Sequence, residues 1–188
     1  MSIIRLLLLL LPAPLMAAPS FQQCYDFGCK SKQEVQYSEA QWQKIGALFD
    51  GVSDSASEKQ AIRSAIASME KISGDISGTH LDRGGNYPGE DIPGQMDCID
   101  ESSNSFQYLS ALQQSGLLKW HRVEDRKLRI VWFISHWTAV ISELQGGRLF
   151  AVDSWHRDNG ELPIIQPLED WSRKRKFPVE YNPELASG

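Results

Sequence analysis

The chain has 188 residues, with 24 acidic against 19 basic side chains and a formal charge of −5, a balance that gives no reason to expect nucleic acid or an anionic membrane as partner. The one basic cluster, Arg173-Lys174-Arg175-Lys176, reads as a solvated turn, because a short charge run is weak evidence for a binding face. Beyond Ala18 about 170 residues remain, which suits a single domain over residues 19–188 with a core of its own.

Met1 to Ala18 opens with one basic residue, Arg5, continues through Leu6 to Leu11, and closes on Ala17 and Ala18. That order of a positive start, an apolar run and small residues is expected of a secretory signal peptide. The run is broken by Pro12 and Pro14 and falls short of the ~20 residues a membrane span requires; an uncleaved anchor is the alternative. The mature chain is therefore expected in the periplasm or outside the cell, with a formal charge of −6 once Arg5 is gone and no integral membrane span.

Three cysteines in an exported chain are an odd number. Cys24 and Cys29 lie five apart and can close a small loop in an oxidising compartment. Zinc is the rival for that pair, but no second closely spaced Cys or His pair supplies its remaining ligands. Cys98 is left over, and an unpaired thiol in such a compartment is either buried and inert or kept for chemistry.

Residues 20–37 read as irregular. Ser38 to Phe49 reads as a helix capped by Ser38, with Trp42, Ile45, Leu48 and Phe49 at helical spacing, and a second helix is expected from Ala56 to Ile72 on the stripe Ile62, Ile66, Met69. From Ser73 to Gln95, six glycines and two prolines leave no room for a regular element. Loops of that length inside a domain are usually functional or disordered. A helix then starts at Asp97, with Asp97 as N-cap, Asp100 at N3 and Glu101 in the first turn, and ends at Gly116. Strands follow over Leu128–Ile134, His136–Ser142 and Leu149–Trp155, and residues 161–171 form an edge or connecting segment. Helices first and strands afterwards make an α+β order.

A cysteine nucleophile acts as thiolate, which a helix N-terminus and a neighbouring imidazolium both favour. Cys98 sits one residue inside a helix start. His136, Thr138 and Val140 share one face of their strand, and Leu149, Ala151, Asp153 and Trp155 share one face of the next. An even-numbered hairpin loop puts His136 and Asp153 on the same face. A loop of four residues makes them diagonal neighbours and a loop of six sets them opposite. Asp153 would orient the ring and stabilise its charged form. His156 is the second choice of base, past the strand end; His80 lies in the long loop and His121 in a polar connection. Gln95 is a candidate oxyanion donor beside the Cys98 N–H, and Trp137 and Trp155 are candidate cleft walls.

The segments Asp97-Cys98-Ile99-Asp100-Glu101, His136-Trp137-Thr138-Ala139-Val140 and Ala151-Val152-Asp153 resemble the transglutaminase-like superfamily, and most of all its bacterial periplasmic cysteine proteinases. The order Cys, His, Asp and the intervals of 38 and 17 residues are similar. The likeness covers about 60 residues. It implies a papain-like core with the nucleophile helix packed on an antiparallel sheet, a triad of Cys98, His136 and Asp153, and cleavage of peptide bonds in protein or peptide substrates. Some members bind calcium through acidic residues beside the Cys, here Asp97, Asp100 and Glu101. Carboxylates near a thiolate oppose it, so either a cation or a capping role would resolve the conflict; no recognised calcium-loop spacing is present. The chain departs from the family at Ile99 and at Ser102-Ser103-Asn104-Ser105. Hydrolysis needs no cofactor and shares its residues with acyl transfer to an amine. A binding module that keeps the fold without activity is the remaining alternative.

Overall fold

Each long helix begins on a side chain that satisfies its free N–H groups, and those caps set the frame. In the computed structural model, which describes residues 18–86, 92–131 and 134–173, the order is β1 (Ser20–Tyr25), β2 (Ser31–Gln36), α1 (Glu39–Ala47), α2 (Ser55–Ser77), α3 (Cys98–Gln114), β3 (His121–Val131), β4 (Ile134–Glu143), β5 (Leu149–Asp153), β6 (Ile164–Pro167) and α4 (Leu168–Ser172). Ser38, Asp54 and Asp97 each close a capping box at the start of α1, α2 and α3. Apart from Ala18, the expected signal peptide lies outside the described residues, as do Lys174, Arg175 and Lys176 of the basic cluster. No helix among the described residues is long and apolar enough to cross a membrane.

The fold is α+β, with helices set against antiparallel sheets. Strands β3 to β6 form a four-stranded meander. One of its faces, carrying Ala139, Ile141, Phe150 and Val152, packs with Ile62, Ile66 and Met69 of α2 and with Tyr108, Leu109 and Leu112 of α3. The apolar stripe read from the sequence for the second helix is thus the core contact of α2.

Three expectations need correction. Residues 20–37 are a β-hairpin, β1 paired antiparallel with β2. Its apolar pattern is sparse, with Phe21 and Val35 reaching the core, because α3 amides also hold β1: Asn104 accepts from the Cys24 N–H at 2.8 Å and donates to its carbonyl at 2.9 Å, while Gln107 does the same for Gln22. Helix α2 runs on to Ser77, where Gly78 in a left-handed conformation ends it. The strand expected over Leu128–Ile134 is two strands: β3 starts at His121 and β4 at Ile134, with a bulge between Glu124 and Lys127. Residues 161–171, by contrast, do hold the expected edge segment: β6 is the edge strand beside β5 and leads into α4.

His121 is not in a polar connection but buried at the start of β3. Its Nδ1 lies 2.8 Å from Oε2 of Glu58, which also accepts the backbone N–H of Trp120. The other Glu58 oxygen accepts from Lys119 at 2.5 Å. Both side chains are fully buried, so removing one partner strands the other. Glu58→Gln is expected to cost about 3 kcal/mol in urea unfolding, against less than about 0.5 kcal/mol for Glu124→Gln on the surface. Equal, small losses would show that the pair does not anchor β3.

Candidate active site

Two Asp carboxylates shape the start of α3. Asp97 Oδ1 accepts the N–H groups of Ile99 and Asp100, and its Oδ2 accepts Gly28 N–H at 3.0 Å. Asp100 Oδ1 accepts Cys29 N–H at 2.6 Å, and Oδ2 accepts those of Phe27 and Asp97. The donors come from the tip of the β1–β2 hairpin, where Asp26, Phe27, Gly28 and Cys29 all have positive φ. Three of these are not glycine, a strained run that persists only if its surroundings fix it. The Cys24–Cys29 disulfide and the two carboxylates do so. Burial and the neighbouring Asp97 charge push the Asp100 carboxyl up to about 7, against the pull of its N–H donors.

Cys98, the first residue of α3, is a partly exposed free thiol. The β4–β5 register pairs Ala139 with Val152 and Ser142 with Leu149, so the chain reverses over residues 144–147. That is the four-residue loop, and it sets Asp153 diagonal to His136. His136 Nε2 lies 2.7 Å from Asp153 Oδ2, which leaves Nδ1 as the free ring nitrogen, and the Cys98 thiol is near enough to act on the charge of the ring. Asp153 is 2% exposed; the Trp171 indole N–H donates to the same Oδ2 at 2.8 Å, and His156 Nε2 stands 3.8 Å away. The sequence brings no signal for Trp171, which enters from α4.

The charges follow from these contacts. Burial disfavours the His136 cation, but hydrogen bonds and charges from Asp153 and Cys98 outweigh it and lift the ring to about 9. Burial likewise opposes the Asp153 anion, and the His136 hydrogen bond and charge hold it below the ordinary carboxylate range. His156 is kept low by burial and by the positive charges of His136, Arg129 and Arg157, against the pull of Asp153. The arrangement therefore supports an imidazolium between a thiol and a carboxylate, with His156 as a neutral neighbour.

The remaining expected site residues lie elsewhere. Gln95 is buried, and its amide serves the loop: Oε1 accepts from the Arg83 backbone and from Asn86, and Nε2 donates to the Leu81 carbonyl. This corrects its assignment as an oxyanion donor. Trp155 packs on the His136 ring with centroids 5.0 Å apart, whereas Trp137 lies under Arg126, whose guanidinium reaches Ile99, Ser102 and Ser103 of α3. His80 is exposed.

Asp97, Asp100 and Glu101 do not converge as one group of metal-ligating atoms among the described residues. All four oxygens of the two Asp side chains already accept backbone N–H groups, and Glu101 joins a different set. The His136–Asp153–His156 cluster and the Cys24–Cys29–Asp100 cluster are the places among the described residues where metal-ligating atoms converge. In the second, both sulfurs are bonded to each other.

Glu101 turns inward toward Asp82 of the loop and Glu70 of α2, all three nearly inaccessible to water. Asp82 accepts the Met96 N–H at 2.7 Å and Glu70 accepts the Gly160 N–H at 3.1 Å. One oxygen each of Glu70 and Glu101 has no hydrogen-bond partner. The loops close tightly here: a Cβ on Gly84 would sit 2.5 Å from the Arg157 nitrogen, and one on Gly94 2.6 Å from the Gly78 carbonyl. The glycines that mark the region as irregular in sequence are thus what lets residues 79–86 lie against 154–160.

No known protein family, curated protein or solved structure matches the chain.

Burial raises Asp82 to about 7, and burial reinforced by neighbouring carboxylates raises Glu70 to about 7 and Glu101 well above its ordinary range. A carboxyl raised on folding favours the native state while protonated, and that contribution is lost as pH climbs through the folded value. Stability is expected to fall by roughly 2–4 kcal/mol between about pH 5 and pH 8.5. Glu101→Gln, which keeps the shape and removes one charge, flattens this fall. An unchanged slope would show that the cluster does not share protons.

Proposed function

We propose that the protein is an exported cysteine hydrolase with a papain-like, transglutaminase-like core, and that it cleaves amide bonds in peptides or proteins. One observation carries the reading: His136 stands between a buried Asp153 carboxylate at 2.7 Å and the Cys98 thiol. A histidine buried only for packing has no need of both. The strand-borne pair beside a Cys at a helix start also agrees with the family resemblance, and the disulfide agrees with an oxidising compartment.

The chemistry follows from these positions. The Cys98 thiolate attacks the amide carbonyl carbon, and Asp153 keeps the charged imidazolium of His136 in orientation. Collapse of the tetrahedral adduct breaks the C–N bond as the Nδ1 proton passes to the leaving amine. Water then attacks the thioester with His136 taking its proton, the acid departs, and the thiolate–imidazolium pair is restored. Asp97 already accepts the Ile99 and Asp100 N–H groups at the α3 start, which leaves the Cys98 N–H as the donor for the oxyanion.

Iodoacetamide is expected to alkylate Cys98 near neutral pH much faster than an ordinary thiol. His136→Ala is expected to slow it about a hundredfold and Asp153→Asn about tenfold, with melting temperatures recorded to show that both variants fold. Reaction at the rate of a simple thiol, or only after denaturation, would leave a binding module on the same fold.

A further inference from the structure

Resting on that reading, the charge count at the site has a remainder. Thiolate, imidazolium and carboxylate together carry one net negative charge, and the carboxylate is fully buried. A half-buried set of charges is stable only when balanced. Asp153 also offsets much of the attraction that His136 can offer the sulfur. Among the described residues, the cation next to these groups is Arg129.

Arg129 pairs directly with His136 across the β3–β4 ladder, so both side chains leave the same face of the sheet. Its guanidinium lies over the Trp171 ring, 4.4 Å from the centroid, and Nη1 donates to the Trp171 carbonyl. The His136 ring packs on that same indole, with centroids 5.7 Å apart. One tryptophan therefore fixes the cation and the imidazole side by side. Arg129 Nε is buried and has no hydrogen-bond partner, and no carboxylate among the described residues lies within ion-pair distance of the guanidinium. Burial works against its charge, while Asp153 and Cys98 favour it. The groups that face it are His136 from β4, Asp153 from β5, His156 from the following turn, and Cys98 from α3.

We propose that Arg129 is the fourth charge of the active site, a fixed cation that stabilises negative charge on the Cys98 sulfur and balances Asp153. A guanidinium suits this role because it keeps its charge at every working pH and stays pinned by a flat, stacked partner. Its contact with Trp171 also has a structural side, so the test must separate charge from packing.

The experiment compares wild type, Arg129→Gln and Arg129→Lys by the rate and pH profile of Cys98 alkylation, with melting temperature measured on each. Arg129→Gln is expected to slow iodoacetamide about tenfold at neutral pH and to shift the profile to higher pH, and Arg129→Lys, which keeps the charge without the fork, to regain most of the rate. A folded Arg129→Gln that reacts as wild type overturns the proposal. So does Arg129→Lys reacting as slowly as Arg129→Gln, since then the stacking is what counts. If Arg129→Gln does not fold, His136→Ala removes the other cation instead. In that variant anionic iodoacetate is expected to gain on neutral iodoacetamide relative to free cysteine, and a ratio no higher than that of free cysteine overturns the proposal. An unreactive wild-type Cys98 would sink the hydrolase reading itself, whereas a reactive one that ignores Arg129 would sink this inference alone.

Discussion

Asp153 is a carboxylate with almost no access to water, and the segments around it supply what water would have given. His136 and the Trp171 indole donate to the same oxygen at 2.7 and 2.8 Å. Those two bonds tie β4, β5 and α4 to one point. Leaving the anion unpaired there would cost several kcal/mol, so the site geometry and the packing of α4 are one constraint. The same bond leaves Nδ1 of His136 toward Cys98 and raises the ring to about 9.

A second set of carboxylates holds the other half of the site. Asp97 and Asp100 accept backbone N–H groups from the β1–β2 hairpin tip, so a left-handed, disulfide-closed turn packs against the first turn of the nucleophile helix. One residue later, Glu101 faces inward to Asp82 and Glu70, where burial and the neighbouring charges favour its protonated form. Acidic residues that look hostile to a thiolate in sequence are therefore spent on backbone donors and on one another. The chain from helix cap to hairpin to loop gives the α3 start little freedom to move.

Much of this was legible in the sequence because it rests on local rules. The capping box at Asp97, the alternation that puts His136 and Asp153 on one face, and the leftover Cys98 all depend on residues a few positions apart. What stayed hidden depends on long-range polar contacts. The β1–β2 hairpin is held by Asn104 and Gln107, some 80 positions away, and no apolar alternation reports that. Gln95 looked available because its partners Leu81, Arg83 and Asn86 lie in a glycine-rich loop with no periodicity. His121 looked solvated because Glu58, 63 residues earlier, gives no sign that it is buried. Trp171 and Arg129 come from elements that a residue pattern does not place beside the cysteine.

The central claim is that His136 is held as an imidazolium between Cys98 and Asp153. Titrating its ring nitrogens by NMR in labelled protein tests this most directly. The account predicts a midpoint near 9 in wild type, falling toward the ordinary histidine range in both Cys98→Ala and Asp153→Asn. A wild-type ring that titrates like a free histidine, or one indifferent to both substitutions, would contradict it.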